Sequence, residues 1–179
     1  FWDEIYLLEQ FMRRGGFSGV IYRHNEHFLP LFFSWFYAQC CLFGDSYSLM
    51  LLVSNIIHAL NGVLLAALLE RLIPERPGLR TAARITALLF LISGLHAETM
   101  QWAFEQCLLL AQTATFLAML AAIEFVRSGQ ARFALGAAAA TAIAPLLFAN
   151  GFIAAPQIAL LLVLISHPLI SNRQRLLRT

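Results

Sequence analysis

Four groups of polar residues stand in an otherwise apolar sequence, and each has a chemistry to offer. Asp3-Glu4 directly follows Phe1-Trp2. Paired acids at an apolar boundary suit general-base work, because a low-dielectric edge raises a carboxyl pKa. They equally suit a solvated helix start, where acids favour the positive end of the helix dipole. Arg23-His24-Asn25-Glu26-His27 places two histidines three apart, on one helical face; this is a weak metal pattern and an ordinary polar interfacial loop. His96-Ala97-Glu98 is followed by Trp102 and Glu105. Glu98, Trp102 and Glu105 fall at i, i+4 and i+7, so they share a face. Two acids and an aromatic suit a sugar or a metal, and the same set reads as a polar boundary cap with a Trp anchor. Ser54, Asn55, His58 and Asn61 lie within one long apolar run. Such residues hydrogen-bond across helices or line a polar path.

The elements that must position these groups are set by composition. The 179 residues are 60% hydrophobic and 12% charged, with a mean hydropathy of +0.72. A soluble domain carries about 25% charged residues, so this chain lacks the polar residues for an ordinary soluble surface and reads as an all-α polytopic integral membrane protein. All 12 Lys/Arg residues are Arg, and the net charge is only +2. No basic cluster alternates with exposed aromatics, which argues against a nucleic-acid partner. Cys40, Cys41 and Cys107 sit in apolar runs with neither C-x-x-C nor metal spacing, so they read as small packing residues. The chain opens on Phe1-Trp2-Asp3 without a Met and ends just past a basic stretch; we expect a fragment.

A spanning helix needs ~20 apolar residues to cross ~30 Å of hydrocarbon. Five runs are candidates: Ser46 to Ile73, Thr81 to Leu95, Phe104 to Val126, Phe133 to Phe148 and Phe152 to Ser166. Arginines cluster at 71, 76, 80 and 84, again at 127 and 132, and again at 173, 175 and 178. With five spans these clusters fall on one face, which the positive-inside rule makes cytoplasmic. The His96 loop is then extracytoplasmic. Two domains are expected: 1–45, and 46–179, the helical bundle. Within the first, Ile5 to Met12 is amphipathic, and Phe28 to Phe43 either spans or lies in the interface.

These groups, in this order, resemble the membrane core of the C-type glycosyltransferases, which move a sugar from a polyprenyl-phosphate carrier. The resemblance rests on Asp3-Glu4, the Ile5 helix, Gly15-Gly16, Pro30-Leu31, Trp35 and Leu42-Phe43-Gly44. The set is similar to the protein O-mannosyltransferases and the lipid A aminoarabinose transferases. His58-Ala59-Leu60-Asn61, and Ala87-Leu88-Leu89-Phe90 running to His96-Ala97-Glu98, look closest to the tetratricopeptide-bearing O-mannosyltransferase-like branch. One departure is that Phe28-Leu29-Pro30-Leu31 stands where aminoarabinose-type enzymes have Lys-Pro-Pro-Leu, so the basic contact to the carrier phosphate is missing there.

The resemblance implies that Phe28 to Phe43 is a juxtamembrane helix, with five spans and two interfacial helices, and that the family's first helix and its later helices lie outside this fragment. It implies sugar transfer at the extracytoplasmic face, in a bacterial inner (plasma) membrane, to a protein, glycan or lipid acceptor. Asp3 would be the general base and Glu4 would position the acceptor. Arg23, with His24 or His27, would neutralise the leaving phosphate. His96, Glu98, Trp102 and Glu105 would line the acceptor side or hold a divalent cation; no metal ligand set is assigned. The competing readings are a transporter or flippase segment built on the Asn55, His58, Asn61 stripe, and a non-catalytic scaffold of the same fold.

Overall fold

The computed structural model describes residues 9, 29–44, 46–73, 77–93 and 101–166. Among these, all regular structure is helical. In chain order it comprises α1 (Pro30–Phe43), α2 (Tyr47–Leu72), α3 (Pro77–Ile92), a 3-10 turn (Ala103–Glu105), α4 (Gln106–Ser128), α5 (Ala131–Leu147), a second 3-10 turn (Ala149–Ile153) and α6 (Ala154–Ser166). Two stretches, Tyr47–Leu72 and Ala103–Ser128, each 26 residues, are long and apolar enough to cross a membrane. The helices α3, α5 and α6 are shorter, at 16, 17 and 13 residues.

Local sequence sets the ends. Pro30 begins α1 and Pro77 begins α3, positions where a missing N–H costs nothing and the fixed φ suits a helix. The expected start of α3 at Thr81 was therefore late, and Arg80 also belongs to the helix. Gly129 ends α4 at φ +67°, its N–H bonded to Phe125 O at 2.8 Å. That left-handed residue lets α5 begin two positions later and fold back along α4.

Helix α4 is the hub, packed on α2, α5 and α6, while α3 lies against α2. Its inward face is a seam of small residues, Ala111, Ala114, Ala118 and Ala122, all buried. Ala114 meets Ala144 and Ala154, and Ala118 and Ala122 meet Ala137, Ala140 and Ile158. Small side chains let the helix backbones approach closely.

The direction of each helix is fixed by contacts at one end. Arg71 Nε donates to Glu124 Oε1 at 2.8 Å, Arg84 Nε to Glu70 Oε1 at 2.8 Å, and Arg127 Nη2 to the Arg71 carbonyl at 2.7 Å. The ends of α2 and α4 and the starts of α3 and α5 therefore gather together, with Arg71, Arg84 and Arg127 among them. The starts of α2 and α4 lie at the opposite end.

The solvent-accessible face of α2 is largely apolar, Ser48 and Asn55 apart, and its buried face is partly polar. Leu49, Leu52, Ile56, Leu60 and Val63 are exposed, whereas Ser54, His58 and Asn61 are buried. A soluble helix has the reverse arrangement.

Candidate functional site

The end of the bundle away from the arginines is closed by α1. Phe32, Phe33 and Phe36 are buried there, packed with Leu29, Met50, Ala103 and Cys107. Phe32 and Phe36 both meet the Phe104 ring edge-on, at centroid distances of 5.2 and 6.4 Å. Outside α1, the residues packed into this cluster lie in the opening turns of α2, in or near the first 3-10 turn, at the start of α4, or at Phe148 beyond α5. Helix α1 thus sits at the end of the bundle and does not run its length. Gly44 closes it, with its N–H on Cys40 O at 3.0 Å.

Beneath α1 lies a carboxamide knot. Gln106, the first residue of α4, has no solvent exposure. Its Oε1 accepts from Trp35 Nε1 and from Gln39 Nε2, both at 2.8 Å. Its Nε2 donates to Met50 O at 2.8 Å and to Ser54 Oγ at 3.0 Å. One side chain joins three helices with its hydrogen-bonding capacity satisfied, which is what an amide in an apolar interior requires.

Of the residues singled out from sequence, Trp102 and Glu105 are described, half-buried at this same end. Glu105 closes the first 3-10 turn, its N–H on Trp102 O at 3.0 Å. Tyr47 holds that turn to α2: its hydroxyl donates to Gln101 O at 2.9 Å and accepts from Ala103 N–H at 3.3 Å. Asp3, Glu4, Arg23, His24, His27, His96 and Glu98 lie outside the described residues, as does any contact between them and Glu105. Among the described residues no three His, Cys, Asp or Glu side chains converge on a metal position.

The polar stripe of α2 divides. Asn61 Nδ2 donates to Leu109 O of α4 at 2.9 Å, and its Oδ1 accepts from Thr113 Oγ1 at 2.7 Å. His58 Nε2 pairs with Leu91 O of α3 at 3.1 Å and its ring lies 5.1 Å from that of Phe90. Asn55 is exposed and folds back onto Leu51 O of its own helix at 2.8 Å. His58 and Asn61 are interhelical ties to different neighbours, and Asn55 is neither.

The three cysteines are free thiols: Cys107 buried, Cys40 half-buried and Cys41 exposed. Burial pushes the Cys40 thiol up to about 11, with the neighbouring Cys41 adding to the shift.

Gln39 and Gln106 carry the most connected polar contacts of the site, and sequence reading passed over both. The available signal was an uncharged amide inside an apolar run, which once buried must find a partner. No family model matches the chain, and neither a curated protein nor a solved structure matches it.

Proposed function

We propose that this chain is the membrane core of a glycosyltransferase that moves a sugar from a polyprenyl-phosphate donor to an acceptor at the extracytoplasmic face of a bacterial inner (plasma) membrane. In this reading α2 to α6 are five crossings and α1 is the juxtamembrane helix. The observation that carries it is the Gln106 knot, which pins α1 across the bundle end opposite the arginines. That is the placement expected of the helix following the Asp3-Glu4 loop in the family that the sequence resembles. Trp102 and Glu105 stand at the same end.

The chemistry follows from those residues. The Asp3 carboxylate takes the proton of the acceptor hydroxyl, and the oxygen attacks the anomeric carbon as its bond to the donor phosphate breaks. The leaving polyprenyl phosphate departs with the bonding electrons, and its charge is met by Arg23 with His24 or His27. Glu4 positions the acceptor, and Glu98, Trp102 and Glu105 line its side with His96. The transport reading would need His58 and Asn61 along a pathway, and both are already engaged by backbone carbonyls of α3 and α4.

The test is sugar transfer from a polyprenyl-phosphate donor by membranes carrying the full-length protein. Asp3→Asn should lower the rate by about 10² to 10⁴, the usual contribution of a general base, with expression unchanged. His58→Ala should keep transfer and lose only a small packing term, about 0.6 kcal/mol for a typical interhelical hydrogen bond. Full activity in Asp3→Asn would overturn the proposed mechanism.

A further inference from the structure

Between α4 and the turn that leads into α6 lies a cleft of about 430 Å³. Its polar side chains are Gln112 and Thr115 of α4, Asn150 of the second 3-10 turn and Gln157 of α6, with Thr115 Oγ1 already bonded to Ala111 O. Leu108, Phe116 and Ile153 supply apolar wall. Elsewhere Gln39, Gln106 and Asn61 are bonded across helices, and exposed Asn55 on its own helix. Gln112 is half-buried and Asn150 and Gln157 are exposed, and none of the three side chains is bonded to another described side chain. Gln112 lies six positions into α4 from Gln106, ~9 Å along the axis at the usual helical rise. In the membrane reading this is hydrocarbon depth, where an amide without a partner is costly.

The lining specifies what would satisfy these groups. Among the described residues it contains no Asp, Glu, Arg, Lys or His, so these residues offer hydrogen bonds and apolar contact and no charge to a ligand. Three carboxamides present both C=O acceptors and NH₂ donors, matched by hydroxyl groups, which also do both. Phe116 and the aliphatic side chains suit the C–H face of a ring. The volume falls in the range of ~300–1,000 Å³ usual for small-ligand sites. Asn150 and Gly151 place the cleft toward the same bundle end as α1.

We propose that this cleft binds a neutral, hydroxyl-rich sugar headgroup, presented either on a lipid or free in solution. The inference rests on the membrane reading of α4 given above, but not on the transfer step, because binding is measured without turnover.

The experiment uses the full-length protein in phosphatidylcholine nanodiscs. One probe is an alkyl glucoside with a diazirine in its chain, and the control is a phosphatidylcholine with the same diazirine. The glucoside should label residues 108–116 and 150–157 in preference to the phosphatidylcholine probe. Gln112→Leu should lower that labelling about tenfold, the worth of one or two hydrogen bonds. Gln157→Leu, on an exposed position of α6 where folding is not at stake, should lower it in the same direction. Competition by free glucose would locate recognition in the sugar alone, whereas retained labelling would assign the lipid-linked form. Equal labelling by the two probes, or labelling indifferent to Gln157→Leu, would overturn the proposal. Asp3→Asn should leave labelling intact, so a failure of transfer and a failure of this site are read separately.

Discussion

Trp35 donates its indole N–H to Gln106 Oε1 at 2.8 Å, tying a partly exposed aromatic of α1 to a fully buried side chain 71 positions away. Gln106→Leu removes that acceptor and leaves Gln39, Ser54 and the Met50 carbonyl short of a partner. A buried polar group stripped of its partner costs about 1–3 kcal/mol. The variant should unfold earlier in detergent, and with Trp2 and Trp102 replaced by Phe the Trp35 emission should shift to the red. An unshifted spectrum would show that apolar packing alone holds α1.

At the other end, Glu124 Oε1 lies 2.8 Å from Arg71 Nε and 3.7 Å from Arg127 Nη1. The Arg71 and Glu124 side chains are 37% and 31% exposed, so water screens the pair. A double-mutant cycle of Arg71→Ala and Glu124→Ala should give a coupling of about 0.2–1 kcal/mol, falling as salt is raised. A coupling of several kcal/mol that ignores salt would mean that the pair is shielded from water.

Two glycines should respond oppositely to alanine. A Cβ at Gly151 would collide with the backbone of Ala144 and Pro145, whereas one at Gly136 would meet only Ala121 Cβ, at 3.9 Å. Backbone cannot rotate away as a side chain can, so Gly151→Ala should cost about 1–3 kcal/mol. Gly136→Ala, inside α5, should gain up to about 1 kcal/mol from helix propensity. Thermal unfolding of both variants in one detergent checks the sign of each.

The helices were legible because long apolar runs have few alternatives. The span read as Ser46 to Ile73 is observed as Tyr47–Leu72, and that read as Phe104 to Val126 as Gln106–Ser128 behind a 3-10 turn. The start of α3 was misplaced at Thr81 because the run was read from its apolar residues, when Pro77 begins the helix. The Asn55, His58 and Asn61 stripe looked continuous on paper. Each step of three residues falls short of a full turn, so Asn55 and Asn61 end about 120° apart on the helix, and Asn55 faces outward. The Gln39–Gln106 pair spans 67 positions, and local periodicity carries no information about a partner that only tertiary packing supplies.

The native cysteines provide a test of orientation without a new label. A thiolate is the species that reacts with maleimides. Cys107 is 2% exposed, and burial pushes the Cys40 thiol up to about 11, which disfavours its thiolate at neutral pH. Cys41 is exposed on α1 and should dominate labelling. If α1 lies on the extracytoplasmic side, a membrane-impermeant maleimide added to intact cells should modify Cys41, and Cys41→Ser should abolish the signal. Gly78 opens α3 at the arginine end, and a Cβ there would meet nothing within 4 Å, so it accepts a reporter without strain. Gly78→Cys in a Cys41→Ser background should label only after permeabilisation. Labelling of both positions in intact cells would place α1 and the Arg71 end on one side and remove the topology on which the proposed active site depends.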